Sequence, residues 1–223
     1  MAALSGRPLV EACVEGIEAA AAAERAGADR LELCASLVED GTTPSAGTLA
    51  VARSRVAIPI VAMVRPRGGG FVYSSAELEV MERDVAAARE AGAAGIATGA
   101  LTEDGRVNEE ALRALVRAAG SLPVTFHRAF DHVADPAAAL ETLITLGARR
   151  VLTSGGASSA RAGIDTLAAL GRQAGDRIAI VAGGHVDAAA ARDLVAAGIR
   201  ELHVGNDRAR LASVIAVVRA AAR

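Results

Sequence analysis

The sequence predicts a single (β/α)8 barrel over residues 1–223, and three observations carry that reading. Short β-branched or apolar runs alternate with Ala-rich helical runs along the whole chain. Eight such pairs occupy 223 residues, the size of one compact barrel. A recurring phrase (AGADRLEL, AGAAGIAT, LGARRVLT, AGIRELHV) ends a helix on Gly and launches strands two, four, six and eight.

Strands are expected at 8–14, 30–34, 58–64, 94–98, 123–127, 150–154, 177–182 and 200–204. Helices are expected at 16–26, 46–55, 75–91, 108–119, 135–146, 160–174, 187–197 and 209–221. Ser74 to Glu77 reads as a capping box, and Asp135-Pro136 puts Pro at the first helical position. Gly27, Gly92, Gly147 and Gly198 supply left-handed helix ends. Strands alternating with helices imply right-handed βαβ units and a parallel sheet. An open doubly wound sheet would want a Gly-rich fingerprint after the first strand, and ACVEGIEAA lacks one.

Composition narrows the function. Net charge is -2, so there is no basic footprint for nucleic acid, and all 24 basic residues are Arg. Aromatics make up 2%, too few for base-stacking platforms. No run of about 20 residues is free of charge, so no membrane-spanning helix is expected. The first residues lack the basic and apolar regions of a signal peptide, which points to the cytoplasm. Cys13 and Cys34, the only two cysteines, are then expected as thiols.

Strand side chains alternate, and the outward side of a barrel strand must be apolar to meet the helices. Leu31 and Leu33 therefore face out, which turns Glu32 and Cys34 inward. The same parity turns Glu11, Cys13, Arg65, Thr125, His127, Glu201 and His203 inward. Such an interior departs from the branched apolar filling of most barrels. Unpaired charge there costs several kcal/mol per ion, on the order-of-magnitude scale, so the acids must be paired or hydrated. Glu11 and Glu201 sit deeper and suit a structural ion network equally well. Arg65, His127 and His203 lie at the C-terminal strand ends, the face that carries barrel active sites.

Four motifs, LELCASLVEDGTTPS (31–45), MVRPRGGGFVYSS (63–75), VTFHRAFD (124–131) and RVLTSGG (150–156), follow in order. Together they resemble the CutC family of copper homeostasis proteins, and the resemblance runs from about residue 8 to about 207. It implies a TIM barrel, often dimeric, in the cytoplasm, with copper as the bound ion. The chain departs from the family pattern at Gly70, at His185 in AGGHV and after His203 in HVGND.

Two chemistries then stand side by side. Cu(I) prefers thiolate, then imidazole or thioether. Cys13 and Cys34 sit at equivalent places on adjacent strands about 4.8 Å apart, with Met63 or a His as third donor. Whether the sulfurs meet depends on strand register. Buried cysteines also pack simply as small hydrophobes. In the other chemistry, the barrel mouth takes a small phosphorylated or carboxylated metabolite. Arg65 and Arg67 would clamp it, and Gly183, Gly184, His203 and Gly205 would form its cradle. His127 beside Arg128 would act as general acid or base if its pKa lies near neutral, with Glu32 orienting it. Asp131 is expected to pair with an Arg of the rim.

Overall fold

A computed structural model describes residues 7–220. The strands are β1 (Leu9–Glu15), β2 (Arg30–Cys34), β3 (Ile60–Met63), β4 (Gly95–Thr98), β5 (Val124–Phe126), β6 (Arg150–Thr153), β7 (Ala179–Ala182) and β8 (Glu201–Val204). The helices are α1 (Ile17–Ala26), α2 (Ala46–Arg55), α3 (Ser75–Glu90), α4 (Glu109–Ala119), α5 (Pro136–Thr145), α6 (Ile164–Ala174), α7 (Ala188–Ala196) and α8 (Arg208–Ala220). The strands close in the order β1 to β8, all parallel, with β8 returning to β1. This is the predicted (β/α)8 barrel.

The local signals act as read. Gly27, Gly92, Gly147 and Gly198 all have positive φ. Ser74 and Glu77 form both halves of the capping box, and Asp135 caps α5 with Pro136 at its start. Residue 221 of the last expected helix lies outside the described residues.

Several boundaries and turns differ from the expectation. Helix α6 starts at Ile164 rather than 160. Residues 154–163 are held instead as a folded turn, with the Ala160 N–H bonded to Gly184 O at 2.9 Å. A Cβ at Gly163 would stand 2.0 Å from Ser154 O, so only Gly closes this turn. Strand β3 starts at Ile60, because Pro59 has no N–H for the ladder. Two short 3-10 turns, Leu37–Glu39 and Arg128–His132, lie outside the expected strands and helices.

Two cores result. The larger fills the shell between barrel and helices and holds Val10, Ala12, Val14, Leu31, Leu33, Phe126, Leu202 and Val204. A smaller one lies inside the barrel and holds Cys13, Cys34, Val61, Met63 and Ala97. The partition confirms the parity read from the leucines of β2.

Candidate metal centre

The inner face of β1, β2 and β8 carries the polar interior. In the register, Glu11 lies beside Arg30 on one side and His203 on the other, and Cys13 lies beside Glu32. Cys34 pairs with Glu15, two residues further along β1 than Cys13. The two cysteines therefore do not occupy equivalent levels, since barrel closure staggers neighbouring strands. Their side chains lean across the stagger, and the sulfurs come to 3.9 Å.

Two more donors surround them. Glu32 Oε2 is 3.6 Å from Cys34 Sγ. His203 Nε2 is 3.9 Å from the same carboxylate oxygen. Ligand atoms of Cys13, Glu32 and His203 all lie within 4.8 Å of one another. The other ring nitrogen, His203 Nδ1, meets Glu11 Oε1 at 2.8 Å.

Below this group the deeper acids form the structural network. Arg30 pairs with Glu11 through Nε and with Glu201 through Nη2 at 2.7 Å. Arg150 Nε reaches Glu201 at 3.4 Å. Arg30 and Arg150 were missed in the sequence. The signal was present, because Arg30 shares the parity of Glu32 and three inward glutamates require cations.

The electrostatics follow from burial and pairing. Burial pushes the Glu11 carboxyl up, but Arg30 and His203 outweigh it and hold it at about 2. For Glu32 burial prevails and lifts it to about 8, so it is protonated near neutral pH. A hydrogen bond from Cys34 lowers the Cys13 thiol to about 5, and the same contact raises Cys34. The pair thus holds one proton between two sulfurs. Burial disfavours the His203 imidazolium, yet Glu32, Cys13 and Glu11 together raise it well above its usual value.

The β2–α2 connection closes over the dithiol. Leu37 packs against the inner cluster. Glu15 accepts the Ser36 and Leu37 N–H groups at 2.9 and 3.1 Å. A Cβ at Gly41 (φ +89) would lie 3.2 Å from Cys34 Sγ, so the backbone passes directly over the sulfur.

A sequence profile of the CutC family matches residues 8–208. The chain belongs to the CutC family. It is 52% identical over 196 residues to the human "Copper homeostasis protein cutC homolog", covering 87% of this chain and 72% of the relative. A Xanthomonas campestris "family protein CutC" is 51% identical over 195 residues, covering 87% and 81% respectively. The crystal structure of the putative copper homeostasis protein CutC from Streptococcus agalactiae superposes with TM-score 0.84 at 33% identity, covering 90% of this chain and 99% of that one. A structure titled "QR15, an Aldolase" reaches TM-score 0.73 at 16% identity, covering 96% and 97%, which is likeness of fold alone.

In this CutC-family barrel the expected anion clamp is drawn into the protein's own structure. Arg65 is buried and donates to Glu39 O, Gly41 O and Gly69 O at 2.6, 3.0 and 2.8 Å. It pins the two loops that cover the mouth, because a buried guanidinium must satisfy its donors locally. Arg67 pairs with Glu77, donates to the carbonyls of Gly68, Gly70 and Val72, and lies over the Tyr73 ring. Arg128 pairs with Asp131 at 2.8 Å, as expected, and Asp131 also ties down Thr153, Ser154 and Gly156.

The acid–base expectation for His127 also changes. Burial, then the Arg65 charge, push its imidazole down to about 3, so it stays neutral at physiological pH. Its Nδ1 accepts the Ala129 N–H at 3.2 Å, which leaves the ring proton on Nε2 without a partner. Glu32 does not orient His127, since its contacts are His203 and Cys34. Gly183 has a packing reason, because a Cβ there would meet Leu152 Cδ1 at 2.6 Å. Gly184 has φ +100 and a close approach to Ser154, whereas a Cβ at Gly205 would meet nothing within 4 Å.

Proposed function

We propose that this protein is a copper homeostasis barrel that takes up Cu(I) between the thiolates of Cys13 and Cys34, with His203 as third donor. The observation that carries the reading is the sulfur separation of 3.9 Å. A metal–thiolate bond of about 2.3 Å implies sulfurs roughly 4.0 Å apart at a trigonal angle and roughly 4.6 Å apart in a linear site. The separation suits a trigonal soft-metal site, and thiolate plus imidazole is the donor chemistry that Cu(I) selects. Met63, packed in the same cluster, keeps the surroundings apolar. The human relative's name, copper homeostasis, points the same way. The reading includes the cytoplasmic location and homodimer that the family resemblance implies. The test is anaerobic Cu(I) titration against a competing chelator. Cys13→Ser with Cys34→Ser should weaken Cu(I) binding by at least about a hundredfold, or about 2.7 kcal/mol. Unchanged affinity in that double variant removes the thiol site.

A second reading, a small anionic ligand at the barrel mouth, draws on one observation. Among the described residues His127 Nε2 and Arg65 Nε are both buried without a partner, and Phe71 packs against both side chains. A thermal-shift screen of phosphorylated and carboxylated metabolites tests it. A hit that disappears in Arg65→Ala supports the reading, and a flat response across the library counts against it.

A further inference from the structure

We infer that the same pocket also takes Zn2+, on four donors: Cys13 Sγ, Cys34 Sγ, His203 Nε2 and a carboxylate oxygen of Glu32. This rests on reading the pocket as a metal site and adds to it a ligand, Glu32, and a second metal class.

Glu32 is the feature that Cu(I) alone leaves unexplained. Carboxylate oxygen is a poor donor for a soft monovalent metal and a common one for Zn2+. Glu32 is 2% exposed, lies on the inner face of β2, and among the described residues pairs with no Arg, its one charged partner being His203 at 3.9 Å. One of its oxygens, Oε1, has no hydrogen-bond partner. A buried carboxyl oxygen with no partner is costly, and a metal ion would supply the partner it lacks.

The spacing fits a tetrahedral ion. With bonds of about 2.3 Å to sulfur and about 2.0–2.1 Å to nitrogen or oxygen, tetrahedral ligand atoms lie roughly 3.8 Å apart for S–S, 3.6 Å for S–O and 3.4 Å for N–O. The corresponding separations here are 3.9 Å for Cys13–Cys34, 3.6 Å for Cys34–Glu32 and 3.9 Å for His203–Glu32. Cys13, Glu32 and His203 already stand within 4.8 Å of one another, and Cys34 reaches the group through Cys13 and Glu32, so His203 must move toward both Glu32 and Cys34 to close the tetrahedron.

Glu11 completes the pattern. A metal-binding His typically directs its other ring N–H to a carboxylate, which fixes the ring and its tautomer. His203 Nδ1 does this with Glu11 Oε1 at 2.8 Å, and Glu11 is itself held by Arg30. Nε2 is thereby left as the metal-facing atom, on the side where Glu32 stands.

Glu32 then separates the two metals. Cu(I) uses the sulfurs and the imidazole, whereas Zn2+ uses all four side chains. The test is Zn2+ alone, titrated into the metal-free full chain against a chromophoric chelator, with Co2+ as spectroscopic stand-in. Wild type should bind one Zn2+ per chain, and Co2+ should give the strong visible bands of a tetrahedral site with thiolate charge transfer. Glu32→Gln should weaken Zn2+ by at least about tenfold, while Cu(I) affinity changes by less than about twofold. Retained Cu(I) binding also certifies that the variant pocket is folded. The inference is overturned if wild type binds no Zn2+, if Glu32→Gln leaves Zn2+ affinity unchanged, or if it weakens both metals equally. Failure of the Cu(I) reading shows elsewhere, in the response of the double Ser variant to Cu(I).

Discussion

Glu11→Ala should cost the fold about 3–5 kcal/mol, the range for removing one partner of a buried ion pair. Glu11 is 2% exposed and joins Arg30 to His203. Without it, Arg30 keeps only Glu201, and the ring proton at His203 Nδ1 loses its acceptor. For a chain of this size the melting temperature should fall by roughly 10 °C. The pH dependence gives a second readout. The Glu11 carboxyl is held at about 2, below its ordinary 4.5. Its contribution is therefore complete above about pH 4.5 and is lost as pH falls from there towards 2. The variant should lack that part of the acid limb. Calorimetric melts between pH 2 and 7 measure both effects. A fall of less than about 2 °C at pH 7 would show that the network contributes little.

His127→Asn should flatten a different stretch of the acid limb. His127 titrates at about 3 in the fold, against an ordinary 6.5. As pH drops from 6.5 towards 3, the unfolded chain takes up a proton that the folded chain refuses, so stability falls across that window. The expected loss by pH 4 is of the order of several kcal/mol. Asn retains a side-chain acceptor for the Ala129 N–H at the start of the 3-10 turn, where Asn is a favoured cap. It carries no titrating group. At pH 7 the variant should be less stable by about 1–3 kcal/mol, because the smaller side chain leaves space beside Phe71 and Phe126. Between pH 6.5 and 4 its melting temperature should fall less steeply than that of wild type. Parallel acid limbs would mean that His127 is not held neutral. The Glu11 window lies mostly lower, so the two variants separate the two groups.

Much of the barrel was legible because its signals are local. The positive φ of Gly27 and Gly147 and the cap at Ser74 are determined within a few residues of chain. The inward set was legible for a related reason. Strand alternation has a period of two, so the burial of Leu31 and Leu33 decides where Glu32 and Cys34 point. The surroundings of the rim residues depend on contacts distant in sequence. Arg65 donates to the carbonyls of Glu39 and Gly41, on another loop. Burial and the Arg65 charge, which no local pattern reveals, lower the pKa of His127.

The sequence by itself determined the eight strand–helix units, the inward-facing side chains and membership of the CutC family. Its periodicity, caps and motifs are properties of neighbouring residues, so one chain suffices to read them. Only the tertiary structure decided that Cys13 lies beside Glu32 rather than beside Cys34, and that the sulfurs nonetheless meet at 3.9 Å. It also brought His203, 190 residues beyond Cys13 in the numbering, to the same pocket. Register and stagger arise when eight strands close on themselves, and no single strand carries that information.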